Sequence, residues 1–274
     1  MAKRLSAFNY FGGKNNPLVL EWILTNLAKG KAFHMVDVFG GSGAILLNYH
    51  QCEIKTYNDL NSDIVNFFTQ LRDDSDGLVK SLELTTFSRE EYEKIKTIKH
   101  RNKREWARRF FVRTVQSFGN SGALQTYNSW SYTIRDSRYG VSQSTARYLS
   151  KIEKLPLLVN EVRKWQIERC DFAKIFERYD SGSTLFYCDP PYVHSTRSLH
   201  QKYKKEMTDS RHVELCQTLN AINGKYLLSG YDNELYEQHL NYKSKVHMGS
   251  IRTAGKDSVE TLWSNYELKT HELF

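Results

Sequence analysis

Short apolar runs alternate with amphipathic stretches along most of this chain. Asn16-Pro17 has the form of an N-cap followed by proline at the first helical position. Leu18, Leu20, Trp22, Ile23, Leu24 and Leu27 then lay down a wide apolar face at helical spacing. Residues 32–39 read as a buried strand, Gly40 to Gly43 as a tight turn and Ala44 to His50 as a helix. Glu53 to Tyr57 is a second strand ending at Asn58-Asp59, and Asn61 to Leu71 a further helix. Strands that alternate with helices in this way predict an α/β fold with a parallel sheet.

The alternation stops after Arg72. Residues 73–77, Asp-Asp-Ser-Asp-Gly, read as an acidic loop and a boundary. Ser88 and Glu91 have capping-box spacing and open a helix; a basic helix follows to about Phe118. The polar, aromatic stretch 119–140 reads as a hairpin or long ordered loop. A helix over about 144–161 leads back to the α/β pattern, which resumes with strands at Trp165–Cys170 and Leu185–Cys188. His212, Leu215, Cys216, Leu219 and Ile222 mark a helix closed by Gly224 at its C-cap. Lys225–Ser229 is a strand, and Val246–Met248 with Val259–Trp263 a final antiparallel pair. The division expected is therefore residues 1–71 with 151–274 as one domain and 72–150 as an insert.

Charge sharpens that division. The net charge is +8, and residues 72–150 hold 15 Lys/Arg against nine Asp/Glu, so the insert carries +6 of it. Arg101, Lys103, Arg104, Arg108 and Arg109 lie in one basic run that suits a polyanion, although a merely solvated helix face would look the same. The 17 tyrosines favour stacking on nucleic-acid bases. No apolar run reaches the ~18 residues of a membrane span, and the polar first residues do not resemble a signal peptide. The four cysteines lack CxxC spacing and the nine histidines lack HExxH, so no metal is expected. Reduced thiols fit a cytoplasmic protein.

The candidate chemistry sits at the strand ends. Leu185-Phe-Tyr-Cys-Asp-Pro-Pro-Tyr192 ends an apolar strand in an acid, two prolines and an aromatic. The prolines stop the strand because they lack N–H donors and fix φ. Asp189, Pro190 and Tyr192 are thereby held where open α/β sheets bind ligands, and an acceptor beside an aromatic plate suits a planar base with an exocyclic amine. Asp37-Val-Phe39-Gly40-Gly41-Ser42-Gly43 feeds a strand into a glycine turn that lets a cofactor approach the backbone. An acid before that turn would repel a pyrophosphate and suit the ammonium of S-adenosylmethionine. Asp59, 22 residues after Asp37, is placed to accept from ribose hydroxyls; it could equally cap the next helix. Asp171 could accept from an adenine amine and Phe172 cover its ring, or Asp171 could serve a turn. Tyr10-Phe-Gly-Gly-Lys14 could bring Lys14 to a cofactor carboxylate or to the substrate, or leave it on the surface.

Phe11-Gly-Gly-Lys14, Asp37-x-Phe-Gly-x-x-Gly43, Asp171-Phe172 and Asp189-Pro-Pro-Tyr192, in that order, resemble the Dam family of DNA adenine-N6 methyltransferases, the alpha group of the D12 class. Leu228-Ser-Gly-Tyr231 and Glu260-Thr-Leu-Trp-Ser-Asn-Tyr266 are also similar. The resemblance covers residues 8–266. It implies a seven-stranded S-adenosylmethionine-dependent methyltransferase fold with a mainly helical target-recognition insert. It further implies double-stranded DNA as partner, an adenine flipped out of the stack, a prokaryotic or phage origin, and in some relatives a cognate restriction enzyme. Within the insert, Asn120, Gln125, Asn128 and Arg135 are candidate base readers and Tyr127 or Trp130 candidate wedges. Relatives that read GATC tend to carry Asn-Gly-x-x-Arg-x-Asn; the stretch here, Asn120-Ser-Gly-Ala-Leu-Gln-Thr-Tyr-Asn128, has no Arg, so the recognition sequence is open. Methylation of RNA adenine or of cytosine N4, or DNA binding without catalysis, are the alternatives; a Ser or Asn in place of Asp189 would have suited cytosine better.

Overall fold

A computed structural model describes residues 4–10, 14, 16–97, 102–118, 129–138, 140–193, 207–253 and 256–270. Helix α1 (Pro17–Gly30) begins as its sequence predicts, with the Asn16 side chain accepting from the Leu18 amide. Strand β1 (His34–Asp37), the short α2 (Ala44–Asn48), β2 (Ile54–Asn58) and α3 (Ser62–Asp73) follow. A helical run comes next: α4 (Ser75–Glu83), α5 (Arg89–Thr97), α6 (Lys103–Gln116) and, after a two-strand hairpin of β3 (Ser137–Arg138) and β4 (Val141–Ser142), the long α7 (Gln143–Val162). The α/β order then resumes with β5 (Trp165–Glu168), α8 (Phe172–Tyr179), β6 (Thr184–Cys188), α9 (Asp209–Ala221) and β7 (Lys225–Tyr231). The short α10 (Glu234–His239) precedes β8 (Ser244–Thr253) and β9 (Lys256–Ser264).

The main sheet has seven strands in the order β5-β2-β1-β6-β7-β9-β8. The first five are parallel, and β9 runs antiparallel to both β7 and β8. This is the seven-stranded methyltransferase arrangement that the sequence suggests. The chain winds outward from β1 to β2 and β5, then returns to the other side of β1 with β6. The order therefore reverses between β1 and β6, and the crevice at such a switch point is where open α/β sheets place their ligands.

Strand periodicity divides the core in two. Met35, Leu185, Tyr187, Leu227 and Leu262 point to the face covered by α1 to α4, α6 and α7. Val36, Phe186, Cys188, Tyr226, Leu228 and Trp263 point to the face covered by α8, α9 and α10. Alternate residues of one strand thus serve opposite cores, as the two-residue period requires. Phe8 is fully buried on the first face, its ring edge-on to Phe67 at 5.5 Å and Phe110 at 5.3 Å. It moors the N-terminal segment where the sheet layer meets the helical insert.

Two expectations need correction. The acidic stretch 73–77 is not a loop: α3 and α4 are separated by Asp74 alone. Leu78 and Leu82, four apart, are buried while the acids face outward, so a short amphipathic helix lies behind an acid-rich start. Position 150 lies inside α7, as the expected helix over 144–161 implies, and Phe67, Leu78, Phe110 and Leu155 belong to one core. Gly224 does not cap α9, which ends at Ile222 in extended backbone. A Cβ there would sit 2.8 Å from the Thr184 carbonyl oxygen and 2.9 Å from that of Ser181, so close approach is what requires glycine. Among the described residues no helix is long and apolar enough to cross a membrane.

Candidate functional site

Parallel pairing of β5, β2, β1 and β6 brings four acids to one edge of the sheet. Asp37 ends β1, Asp59 follows β2, Asp171 follows β5 and Asp189 follows β6. Asn58 ties the edge together: its amide donates to the Val38 carbonyl at 2.9 Å and the Cys170 carbonyl at 3.1 Å, and it accepts from the Cys170 amide at 2.9 Å.

The glycine turn is built for close approach. Gly41 and Gly43 have φ of +48° and +68°, values that L side chains rarely adopt. At Gly40 a Cβ would meet the Tyr57 ring at 2.2 Å. Tyr57 is buried, stacks on Trp165 and donates to the Gly41 carbonyl at 2.7 Å. Asp59 accepts from the Gly41 amide at 2.9 Å and from the Asn61 amide at 2.7 Å. It therefore shapes the turn, while Asn61 caps α3. Ser42 is buried and Tyr10 is half-buried, its ring set over Gly41.

Asp37 is 1% exposed, and its Oδ1 is buried without a hydrogen-bond partner. Burial lifts its pKa well above the ordinary carboxylate value, and the nearby charges of Asp189 and Asp59 push in the same direction. A buried acceptor of this kind is completed by a cationic donor. The ammonium of S-adenosylmethionine is such a group, so the residues fit the cofactor that methyltransferases in general use.

On the other side of the switch point, Asp189 is held by two neighbours. Ser229 Oγ donates to its Oδ1 at 2.8 Å, and Lys14 Nζ lies 3.0 Å from the same oxygen. Among the described residues nothing bonds Oδ2, and it is not a fully buried atom. Lys14 also donates to Glu260 at 2.6 Å and to the Tyr192 hydroxyl at 2.5 Å; that hydroxyl in turn donates to Glu260 at 2.7 Å. The Tyr192 ring is braced edge-on by Tyr231, 4.5 Å between centroids. Burial raises the Asp189 pKa and the Lys14 charge opposes the rise. Burial likewise works against the Lys14 ammonium, but the carboxylates of Asp189 and Glu260 overcome it and hold its pKa well above the usual value. Pro190 is buried behind the acid.

At the β5 tip, Asp171 caps α8 by accepting from the Ala173 amide, and Arg211 of α9 pairs with its Oδ2 at 2.5 Å. The Arg211 guanidinium also lies 4.3 Å from the centre of the Phe172 ring. Phe39 lies 6.1 Å from that ring. The predicted cofactor residues thus stand at or against one edge of the sheet. Ser229, Tyr231, Glu260, Asn58 and Arg211 also belong to it, and no spacing rule points to them individually; Ser229, Tyr231 and Glu260 lie within motifs that the sequence marks only as stretches.

The predicted nucleic-acid residues are placed less uniformly. Arg108 is a correction: it is turned into the protein, where Glu105, Glu91 and Thr85 bond it within 3.0 Å. Those contacts raise its pKa further above the usual range. Arg109 pairs with Glu105 at 2.6 Å and Arg104 with Asp74, so acids inside the insert answer much of the basic run. Lys103 is exposed at the start of α6, its carbonyl accepting from Asn66. Trp130 is not a free wedge: it packs on Phe87 at 5.0 Å, donates to Gln116 and lies under Arg89. Its neighbours Tyr132 and Ile134 are exposed, at 58% and 84%. Arg135 is exposed; Arg101, Asn120, Gln125, Tyr127 and Asn128 lie outside the described residues. Among the described residues no group of three His, Cys, Asp or Glu could hold a metal.

Comparison with known proteins bears directly on this cleft. A family model described as D12 class N6 adenine-specific DNA methyltransferase matches residues 10–252. No curated protein matches. Among solved structures, a conserved hypothetical protein of Streptococcus pyogenes aligns over 87% of this chain and 90% of its own, with 8% identity and a TM-score of 0.36, too loose a likeness to carry an argument. The family match runs from Tyr10 above the glycine turn into β8, most of the chain, and the chain belongs to the D12 class of N6 adenine-specific DNA methyltransferases.

Proposed function

We propose that this cleft holds S-adenosylmethionine on the β1 side of the switch point and the target adenine on the β6 side. The observation that carries the reading is the pairing of two unlike acids across that point. Asp37 is buried and lacks a partner for Oδ1, whereas Asp189 is clamped on one oxygen and open on the other. S-adenosylmethionine, when bound, supplies an electrophilic methyl group.

Asp37 would hold the ammonium of the cofactor, Asp59 its ribose and Asp171 its purine amine, with Phe39 and Phe172 beside the purine ring. The Gly40–Gly43 turn, overlaid by Tyr10, gives it room against the backbone. Adenine N6 is a poor nucleophile because its lone pair is delocalised into the ring. Asp189 Oδ2 and the Pro190 carbonyl would each accept one N6–H, which favours a pyramidal nitrogen with its lone pair aimed across the cleft. Ser229 and Lys14 fix the carboxylate so that this orientation is set before the base arrives, and such preorganisation is the main source of rate. Lys14 also opposes the rise in the Asp189 pKa that burial causes. After transfer the surplus proton on N6 leaves through Asp189 Oδ2 to solvent.

A base inside the duplex cannot reach this pocket, so the adenine must be extrahelical, stacked on the Tyr192 ring that Tyr231, Lys14 and Glu260 hold still. The helical insert, with its exposed Tyr132, Ile134 and Arg135, is the part that would select the site. Radiolabelled methyl transfer to duplex DNA, followed by nucleoside analysis, tests the reading. Wild type should give N6-methyladenine, and Asp189→Ala should give none while still binding DNA. Near-normal turnover by that variant would overturn the assigned role of Asp189.

A further inference from the structure

Helix α7 carries a strip of cations that no function yet accounts for. Arg147, Lys151 and Lys154 stand at i, i+4 and i+7, within roughly 60° of one another around the helix. Like charges at three- and four-residue spacing repel, yet among the described residues no carboxylate answers these. Among the described residues Lys151 Nζ hydrogen-bonds the Ser6 carbonyl at 3.4 Å and the Ser6 hydroxyl at 3.3 Å and no carboxylate. Arg147 and Lys154 make neither an ion pair nor a hydrogen bond with any described residue. Burial, with the charges of Lys154 and Arg4, lowers the Lys151 pKa to about 8. The contrast with α6 is direct: there Arg104, Arg108, Arg109 and Arg113 each face an acid.

Arg4 joins the strip to the catalytic cleft. Its guanidinium donates to the Lys14 carbonyl at 2.5 Å, and Lys14 holds Asp189. The strip is about 10 Å long at 1.5 Å per residue, and all three of its side chains remain partly open to solvent. A single phosphate would need a closed nest of donors; an open row of cations suits a linear polyanion.

We propose that Arg147, Lys151 and Lys154, with Arg4, seat the DNA phosphate backbone next to the target adenine. This rests on the methyltransferase reading and moves the phosphate contact from α6, where the basic run suggested it, to α7 and the N-terminal segment. The N-terminal segment then performs two tasks, touching the phosphates through Arg4 and clamping the acceptor acid through Lys14. A strand held on the strip is delivered to Asp189 by the same stretch of chain.

The test is the salt dependence of duplex binding, read by fluorescence anisotropy on a labelled duplex between 50 and 200 mM NaCl. The triple variant R147Q/K151Q/K154Q should flatten the slope of log K against log salt by about 2 to 3, near 0.9 for each phosphate that the protein no longer neutralises. Over that fourfold change in salt, wild type should therefore lose roughly 40-fold more affinity than the variant. R147Q/K154Q, which leaves Lys151 and its bonds to Ser6 in place, should flatten the slope by about 2 and serves if the triple variant misfolds. K80Q/K174Q, a change of two charges at exposed positions elsewhere, should keep the wild-type slope. A wild type that binds and methylates DNA, with strip variants of unchanged slope, overturns the strip and leaves the enzyme reading intact. A wild type that neither binds duplex DNA nor transfers methyl groups overturns both.

Discussion

Replacing Asp37 by Asn should stabilise the free protein and abolish cofactor binding at once. The carboxyl is 1% exposed, leaves Oδ1 unpartnered and faces the charges of Asp189 and Asp59. Its folded pKa is therefore raised above the ordinary value of 3.8. For a group raised in this way the native state binds more protons than the unfolded chain. Stability is then full below the unfolded pKa and declines as pH rises towards the folded one, by about 1.4 kcal/mol per pH unit. Asn has the same shape and no charge to lose, so the decline should vanish in D37N. Its advantage should grow with pH and level off once the folded pKa is passed. We expect a gain on the order of 1–3 kcal/mol at pH 7.5, the penalty of a buried polar group left unsatisfied, or roughly 3–10 °C in Tm for a chain of this size. Thermal melts from pH 5 to 8, with and without S-adenosylmethionine, measure both halves. Wild type should gain stability with the cofactor, because a bound cation reverses the sign of the Asp37 penalty, and D37N should not. A D37N protein that is less stable than wild type across this range, or that keeps the full cofactor shift, would refute the reasoning.

Two further substitutions probe the neighbouring networks. Glu260→Gln keeps the shape but removes one of the two charges that balance Lys14, so Asp189 should be left as its one carboxylate partner and the Tyr192 hydroxyl should lose its charged acceptor; kcat should fall about 10- to 100-fold, the worth of one charge-assisted buried bond, with DNA affinity within a few fold in a binding titration. Arg108→Ala should act on folding rather than on phosphates, because it leaves Glu105 and Glu91 without their shared partner: about 2–4 kcal/mol of stability should be lost in a denaturant titration, and the salt slope of DNA binding should stay at its wild-type value.

What the amino-acid pattern could show depended on how far apart the cooperating residues stand. The four strand-tip acids were legible because each lies at the end of its own apolar run, and the proline and glycine stops beside them are local signals. Parallel pairing then aligns the tips without further information. Glu260 and Ser229 were not assignable, because Glu260 meets Lys14 across 246 residues and Ser229 meets Asp189 across 40, and both meetings depend on β7 pairing with β6 and β9 with β7. Charge was the more misleading guide. A count of lysines and arginines marks the insert as basic, but whether a cation is available depends on which acids its helix face meets. Glu91 is 17 residues before Arg108 and satisfies it across a helix–helix contact. The strip on α7 contributes only Arg147 to the count within 72–150, since Lys151 and Lys154 lie beyond that boundary. Dividing the chain at a point inside one helix split a row of cations that no acid answers among the described residues. The charge that matters for a polyanion is therefore what remains after internal pairing, and among the described residues α7 keeps three neighbouring cations that no acid answers, whereas four arginines of the more basic α6 are paired.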